Sequence, residues 1–425
     1  MKTPGEAILV CFLSICSSAP LACGQSAPAQ TASPAYTGFH MPKANGTLTY
    51  ALSAGGRQQF GGYGPGTGVI SYGTVSGNLG LITASVRKPT TVSYTGGYLA
   101  TTAAQPSSFF HDFSIAQTFD ARKWQFTASD QVEYLPDSPA SGLSGVFGVG
   151  TSTGIIAPQG ALLQAIPSVG NSSAGDFTFK LTGKTSLDAT AMYTIQRFPG
   201  YVGGIQTNDL NFGGGVTHRI DALKTAGVSY NYSTFSYIYV NGSFSSQGVT
   251  ALYRRQVNRR LQVSVAGGPQ YISASSITNR PGQYTYNADV SATYTGNLQH
   301  GLIVAAAYQR LTTGGSGITF GATTDTFTGT VSGQITRSLS VSALGTYASS
   351  SGLQLITNSQ INIQSAIGSV QANRALTRTL SIFVSYTALN QTYQGTILGV
   401  IPQNGLQQVL GYGITYSPSA VHLGR

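Results

Sequence analysis

Between residues 283 and 311 the chain alternates residue by residue. Tyr284, Tyr286, Ala288, Val290, Ala292 and Tyr294 are apolar or aromatic, and Thr285, Asn287, Asp289, Ser291 and Thr293 between them are all polar. Successive side chains of an extended strand point to opposite faces, so this period of two predicts a strand with one apolar and one polar face. After Gly296-Asn297-Leu298-Gln299-His300 the pattern resumes, with Leu302, Val304, Ala306 and Tyr308 on one face and Ile303, Ala305, Ala307 and Gln309 on the other. Each arm of this hairpin is about 11–12 residues long, against about 5–6 for an ordinary strand and about 9–11 for a tilted strand crossing a bilayer. Aromatic residues stand near both ends of the apolar face, where membrane barrels carry their girdles.

Composition supports that reading. Charged residues are 8% of the 425, against about a quarter in ordinary soluble domains. Hydrophobic residues reach 41%, yet beyond the N-terminus no apolar run attains the ~18 residues of a transmembrane helix. This balance suits a barrel whose apolar residues are spread over one face of many strands. High glycine and serine content also suits disorder, but 24 Tyr, 18 Phe and regular alternation argue against it. A β-solenoid would show a fixed repeat of about 20–50 residues, and none is visible.

Residues 1–29 read as an export signal. Lys2 gives a weakly positive start, partly offset by Glu6. Residues 7–16 are apolar but too short to span as a helix, and small residues follow. Cleavage fits after Ala29 or after Gly24. Leu21-Ala22-Cys23 raises lipidation of Cys23 as an alternative, although Pro20 stands where that motif wants an aliphatic residue. Cys11, Cys16 and Cys23 are the only cysteines. Cleavage after Ala29 therefore leaves no disulfide, thiolate metal site or cysteine nucleophile. Residues 30–45, rich in Ala, Pro, Thr and Ser, are expected to be a flexible periplasmic lead.

Alternating segments continue along most of the chain. The expected fold is all-β: a transmembrane antiparallel up-and-down β-barrel of about 18 strands (16 is the alternative) over residues 46–416, with short periplasmic turns and longer outer loops. The strands around 69–85 and 244–254 are the weakly patterned ones. Residues 135–174 lack alternation and are expected to form a long outer loop, or one folded inward as a constriction. An apparent phase change near Gln364 suggests a bulge. Asp130 falls on the nominally outward face, and a bulge is expected there too. Residues 417–425 are expected to be a tail.

Basic residues sort by side. Arg87, Lys88, Arg122, Lys123, Lys184, Arg219, Lys224, Arg337, Arg374, Arg378 and those in the run 253–260 all fall in the short turns or beside them. This accounts for the net charge of +10 without nucleic acid, since a basic run between two strands reads as a solvated turn. His111 and Asp112 are neighbours in one strand, so they point to opposite faces and make no acid–base pair. There is no Gly-x-Ser-x-Gly elbow. Gly64-Pro65-Gly66-Thr67-Gly68 lacks the lysine of a phosphate loop, and no calcium or zinc spacing is present. Neither an enzyme nor a cofactor or metal is expected. The polar faces are mostly Thr, Ser, Asn, Gln and Gly. Glu133, Lys180, Asp188, Asn287, Asp289 and Gln309 are the candidate pore-lining residues. Such a lining suits water and neutral solutes such as sugars, where an ion filter more often shows a ring of one charge sign.

The repeated unit of aromatic-ended strand, Arg-containing turn and Leu-x-Val-x strand is carried best by residues 253–271, 336–347 and 377–386. It resembles the porin-like outer-membrane β-barrel proteins of Gram-negative bacteria, as do Tyr134-Leu135-Pro136-Asp137-Ser138-Pro139 and Gly142-Leu143-Ser144-Gly145. Some relatives are similar to barrels encoded with exopolysaccharide export systems. The tail departs from the common C-terminal aromatic of that group. The resemblance implies an outer-membrane location. It implies lipid, lipopolysaccharide and the barrel-assembly machinery as partners, and polysaccharide export components as further ones. The expected function is passive diffusion of small polar solutes, or passage of a secreted polysaccharide, through a polar lumen. The alternative is a structural or adhesive barrel with a plugged lumen and partner-binding loops. An outer-membrane hydrolase is the least favoured, because no catalytic set converges.

Overall fold

The computed structural model describes residues 46–61, 69–83, 85, 87–101, 107–135, 167–199, 205–238, 242–273, 281–296, 301–315, 319–356, 359–394 and 405–423. The expected signal peptide and periplasmic lead lie outside them.

Eighteen long strands follow one another: β1 (Gly46–Phe60), β2 (Ile70–Thr83), β3 (Thr90–Thr101), β4 (Ser108–Asp120), β5 (Trp124–Leu135), β6 (Ser168–Lys180), β7 (Thr185–Arg197), β8 (Thr207–Arg219), β9 (Lys224–Tyr237), β10 (Gly242–Gln256), β11 (Leu261–Ile272), β12 (Gln283–Thr295), β13 (Ile303–Thr313), β14 (Ala322–Gln334), β15 (Leu339–Ile356), β16 (Ser359–Ala375), β17 (Leu380–Gln394) and β18 (Gly405–Tyr416). Each pairs antiparallel with its neighbours in sequence. β18 pairs back onto β1, from Leu52↔Tyr416 to Phe60↔Gln408, and closes the barrel. Closure leaves no unpaired sheet edge, the condition for strands to sit in lipid. The expected tail contributes a short β19 (Val421–Leu423), which extends the ladder on β1 to Gly46.

Five of the turns at one end share a local cause. Thr182 Oγ1 accepts the N–H groups of Lys184 and Thr185. Asn258 Oδ1 accepts those of Arg260 and Leu261, and Thr336 and Thr377 do the same for the residues two and three positions on. Asp221 Oδ1 accepts Leu223 N–H. A short polar side chain that bonds its own backbone two residues on reverses the chain tightly. Each of these five turns holds or adjoins a basic residue.

The partition of side chains is inside out. On β12, Tyr284 is 83% exposed and Tyr286 52%, whereas Thr285, Asn287 and Asp289 on the alternate positions are partly buried. The same holds round the barrel. The exposed apolar series includes Val75, Phe113, Val132, Phe212, Val265, Phe327, Val384 and Ile414, while Ser53, Ser76, Asn211, Thr250, Thr326 and Thr415 on the alternate positions are buried. Water-facing proteins do the reverse, and an apolar belt of this kind is built for lipid. Aromatic pairs edge the belt: Trp124 with Phe177 and Phe119 with Phe126 at the turn end, and Tyr98 with Phe109 and Tyr271 with Tyr284 at the other.

Three expectations are corrected. First, β6 begins at Ser168, so the patternless stretch from residue 135 ends well before 174. Its remainder, 136–166, lies outside the described residues. Second, Asp130 is not relieved by a bulge. Its pairings on both sides are continuous, with Ile115 across one ladder and Ser173 across the other. Its Oδ1 instead accepts Ser173 Oγ at 2.5 Å and Asn171 Nδ2 at 3.1 Å. These two facts have one cause: Asn171 and Ser173 stand at outward positions to serve Asp130, and their polarity erased the alternation that would have revealed the start of β6. Third, β16 keeps one phase, with continuous pairing to β17 from Asn362 to Ala375. The irregularity lies on β15 between Ser351 and Leu355. The sequence pattern breaks because inward positions carry Ile361, Ile363 and Ile367, all buried.

The Asp130 set is testable. Ser173→Ala removes one of two donors to a carboxylate in the apolar belt and is expected to destabilise the barrel by about 1–3 kcal/mol. Removing the carboxyl as well, in Asp130→Ala with Ser173→Ala, restores most of the loss. Denaturant unfolding of the refolded barrel in detergent reads both.

Candidate functional site

The inner wall is where the acids gather. Six of the chain's 12 acidic residues occupy inward strand positions: Asp112, Glu133, Asp176, Asp188, Asp209 and Asp289. Two arginines share that wall within the strands. Arg57 is buried with its guanidinium 4.8 Å from the Tyr72 ring centre, and Arg254 lies on β10. Besides Asp130, three outward-facing ionic groups are held in contacts at the far rim. Arg310 pairs with Asp325 at 2.7 Å, and Arg197 donates to Thr207 O and Asn208 Oδ1.

Each expected lining residue has a definite place. Glu133 stands directly opposite Asp112 on β4, and Gln131 Nε2 donates to Asp112 Oδ1 at 3.0 Å. Gly170, on the other side of Glu133, leaves room for its carboxylate, because a Cβ there would lie 2.8 Å from Oε1. Asp188 is fixed by three hydroxyls, Thr178 at 3.0 Å, Thr217 at 3.1 Å and Ser186 at 3.4 Å. Asn287 reaches across the bare Gly268 and exchanges hydrogen bonds with Thr250 at 3.0 and 3.2 Å. Asp289 lies between Ala266 and Gln309 in the ladder. Lys180 is exposed at the last position of β6, opposite Ser186. The strands bring Asp112 to Glu133 and Asp289 to Gln309. Asp188 and Lys180 stand apart from both pairs.

Asp112, Asp176 and Asp209 were not among the expected residues. Phase alone would have placed Asp112 inward. Asp176 and Asp209 were lost because β6 and β8 begin earlier than their alternation, at Ser168 and Thr207. His111 points outward, with its Nδ1 2.8 Å from Tyr94 Oη.

At the end opposite the short turns, part of the lumen is filled by protein. The link between β13 and β14 folds over the inner wall. Tyr237 Oη donates to Gly314 O at 2.7 Å, Gly321 N–H to Gly314 O at 3.0 Å, and Leu353 N–H to Gly321 O at 2.9 Å. Gly315 and Gly321 take φ of 95° and 78°, a region that glycine enters without strain. Phe320 packs edge-on against Tyr237 at 5.0 Å, and Phe235, Tyr237, Phe244, Ile272 and Leu353 form a buried cluster beneath. Asp209 lies against this link: a Cβ on Gly314 would sit 2.8 Å from its Oδ1. Among the described residues, those that fold over the inner wall here are 314–315 and 319–321; the inward loop expected over 135–174 falls mostly outside the described residues.

Lower on the wall, β5 to β11 enclose a recess of about 470 Å³ lined by Asp176, Asp188, Asn231, Arg254 and hydroxyls. Among the described residues no group of three or more His, Cys, Asp or Glu could hold a metal ion.

No protein-family model matches the chain, and no curated protein matches it. Solved outer-membrane structures resemble it in three dimensions. OpdQ of Pseudomonas aeruginosa is 9% identical, with a TM-score of 0.43 over 88% of this chain and 100% of that one. OpdK of the same organism, crystallised with vanillate, is 8% identical, with a TM-score of 0.45 over 88% and 98%. A bacterial polysaccharide outer-membrane secretin is 8% identical, with a TM-score of 0.31 over 87% and 98%.

Proposed function

We propose that the chain is an outer-membrane channel through which small polar solutes diffuse passively, with a preference for cations. The observation that carries this is the placement of six acids on the inner wall of a closed barrel whose outer face is apolar. A barrel of about 16–18 strands is wide enough to leave an aqueous lumen. This sharpens the expected neutral lining, because the acids concentrate inside while the basic residues collect at the turns. Residues 314–315 and 319–321, which fold over the inner wall, narrow the far end, which favours small solutes over a polymer such as a secreted polysaccharide. Glu133, Asp188, Asn287, Asp289 and Gln309 line the passage, and Lys180 stands at its turn-end mouth.

A second reading has its own support. Inward Ile361, Ile363, Ile367, Leu389 and Val409 make one side of the interior apolar and buried, as a filled, structural barrel would require. Liposome swelling separates the two. The refolded chain should admit pentoses and hexoses at rates that fall with solute size. Liposomes holding correctly folded barrel yet as tight as empty ones would overturn the channel reading.

A further inference from the structure

We infer that the outer surface of the barrel at the β8–β9 and β10–β11 turns binds the headgroup of an anionic glycerophospholipid. The inference is independent of whether the lumen conducts.

Four cationic side chains meet there. Lys224 opens β9, Arg255 is the last residue but one of β10, and the two stand directly opposite each other in the ladder. Both continue outward-facing series: Lys224 leads into exposed Val228 on β9, and Arg255 follows exposed Val249 and Tyr253 on β10. Like charges placed opposite across a ladder repel. The two turns are also tied side by side, because Gln256 N–H donates to Leu223 O at 2.8 Å. Arg259 and Arg260 complete the patch in the second turn, where Asn258 Oδ1 holds the Arg260 N–H at 2.8 Å. Arg255, Arg259 and Arg260 are all exposed.

The patch is short of negative charge. Asp221, 3.1 Å from Lys224, is the one carboxylate among the described residues of these turns. The three arginines make no ion pair with any described residue. Neighbouring strands lie about 4.7–4.9 Å apart, so Lys224 and Arg255 are within the span of a single phosphodiester. Guanidinium groups suit phosphate oxygens in particular, which they bind in pairs of hydrogen bonds.

Position favours a lipid over an acidic soluble protein. Tyr253, two residues up the strand from Arg255, is 41% exposed on the lipid-facing side, and such rings mark the headgroup level of a bilayer. The cations therefore lie where phosphates lie, and basic residues at that level attract anionic lipid. Ile220 and Val257, on the outward positions of the same turns, are also exposed. Apolar side chains among the arginines suit an amphiphile better than a purely ionic contact.

The test is native mass spectrometry of the refolded full chain in non-ionic detergent, with dioleoyl-phosphatidylglycerol and dioleoyl-phosphatidylcholine added in equal amounts. The phosphatidylglycerol-bound form should exceed the phosphatidylcholine-bound form at least tenfold. That ratio should fall at least fivefold in the variant Arg255→Gln, Arg259→Gln, Arg260→Gln. It should fall less than twofold in Arg122→Gln, Lys123→Gln, Lys184→Gln, which removes the same charge from other turns. Both variants alter exposed positions, and heat-modifiable migration confirms their folding. Equal binding of the two lipids, or equal losses in the two variants, would overturn the site. A soluble hexaglutamate peptide that displaced phosphatidylglycerol at equal concentration would assign the patch to an acidic protein and overturn the lipid.

Discussion

Replacing four of the six inner-wall carboxylates in the variant Asp112→Asn, Glu133→Gln, Asp209→Asn, Asp289→Asn is expected to abolish cation preference. An ion passing about 7 Å from a single carboxylate in water is stabilised by roughly 0.6 kcal/mol, close to RT. That is nearly a threefold local enrichment before screening. Several carboxylates act along the passage, and salt limits each to about 10 Å at 0.1 M. The unaltered channel should therefore favour K⁺ over Cl⁻ by roughly three- to tenfold. In the variant Asp176 and Asp188 remain and are balanced by Arg57 and Arg254, so the ratio should fall to about one. Reversal potentials in a KCl gradient across a planar bilayer read the change. The amides preserve side-chain shape, and the altered positions face inward, so the conductance of the variant should stay within the same range. A cation preference that survived the four replacements would place the selectivity elsewhere.

The second large effect concerns the folded residues 314–315 and 319–321 of the β13–β14 link. Phe235 is fully buried, 4.7 Å from Phe244 in the cluster that supports the link. Phe235→Ala should cost about 3–5 kcal/mol of local packing. With its base removed, the link should leave the inner wall and single-channel conductance should rise. Tyr237→Phe removes only the hydrogen bond to Gly314 O, about 1 kcal/mol, and should give a smaller rise while the barrel ladder stays intact. Unchanged conductance in a folded Phe235→Ala barrel would mean that this link does not narrow the route taken by ions.

Much of this architecture was legible from alternation alone. The 283–311 hairpin appears with the expected faces, because its outward positions are uniformly apolar and its inward ones uniformly polar on β12. The side on which turns are short and basic was also readable. What the pattern concealed has physical causes. Binary alternation assumes that outward means apolar. At Asp130, Asn171 and Ser173 the outward face is a hydrogen-bonded polar set, so the strand beneath it was read as loop. At Ile361, Ile363 and Ile367 the inward face is apolar, so a regular strand was read as bulged. Asp209 was missed because β8 opens with Thr207 and Asn208, which carry no apolar partner to mark a face. The five side-chain-bonded turns did have a signature, an apolar residue followed by Thr, Asp or Asn, as in Leu181-Thr182, Ile220-Asp221 and Val257-Asn258. The recess belongs to seven strands at once and has no local trace beyond the glycine run 213–215.

The most direct test of the account is thiol accessibility at two neighbouring positions on β12. A mature chain cleaved after Ala29 has no cysteine, so Asp289→Cys and Val290→Cys each introduce a single thiol. A membrane-impermeant cationic methanethiosulfonate, added during planar-bilayer recording, should lower the current of Asp289→Cys and leave that of Val290→Cys unchanged, because only the first faces water inside the barrel. Block at Val290→Cys with none at Asp289→Cys, or folded barrels that carry no current, would contradict it.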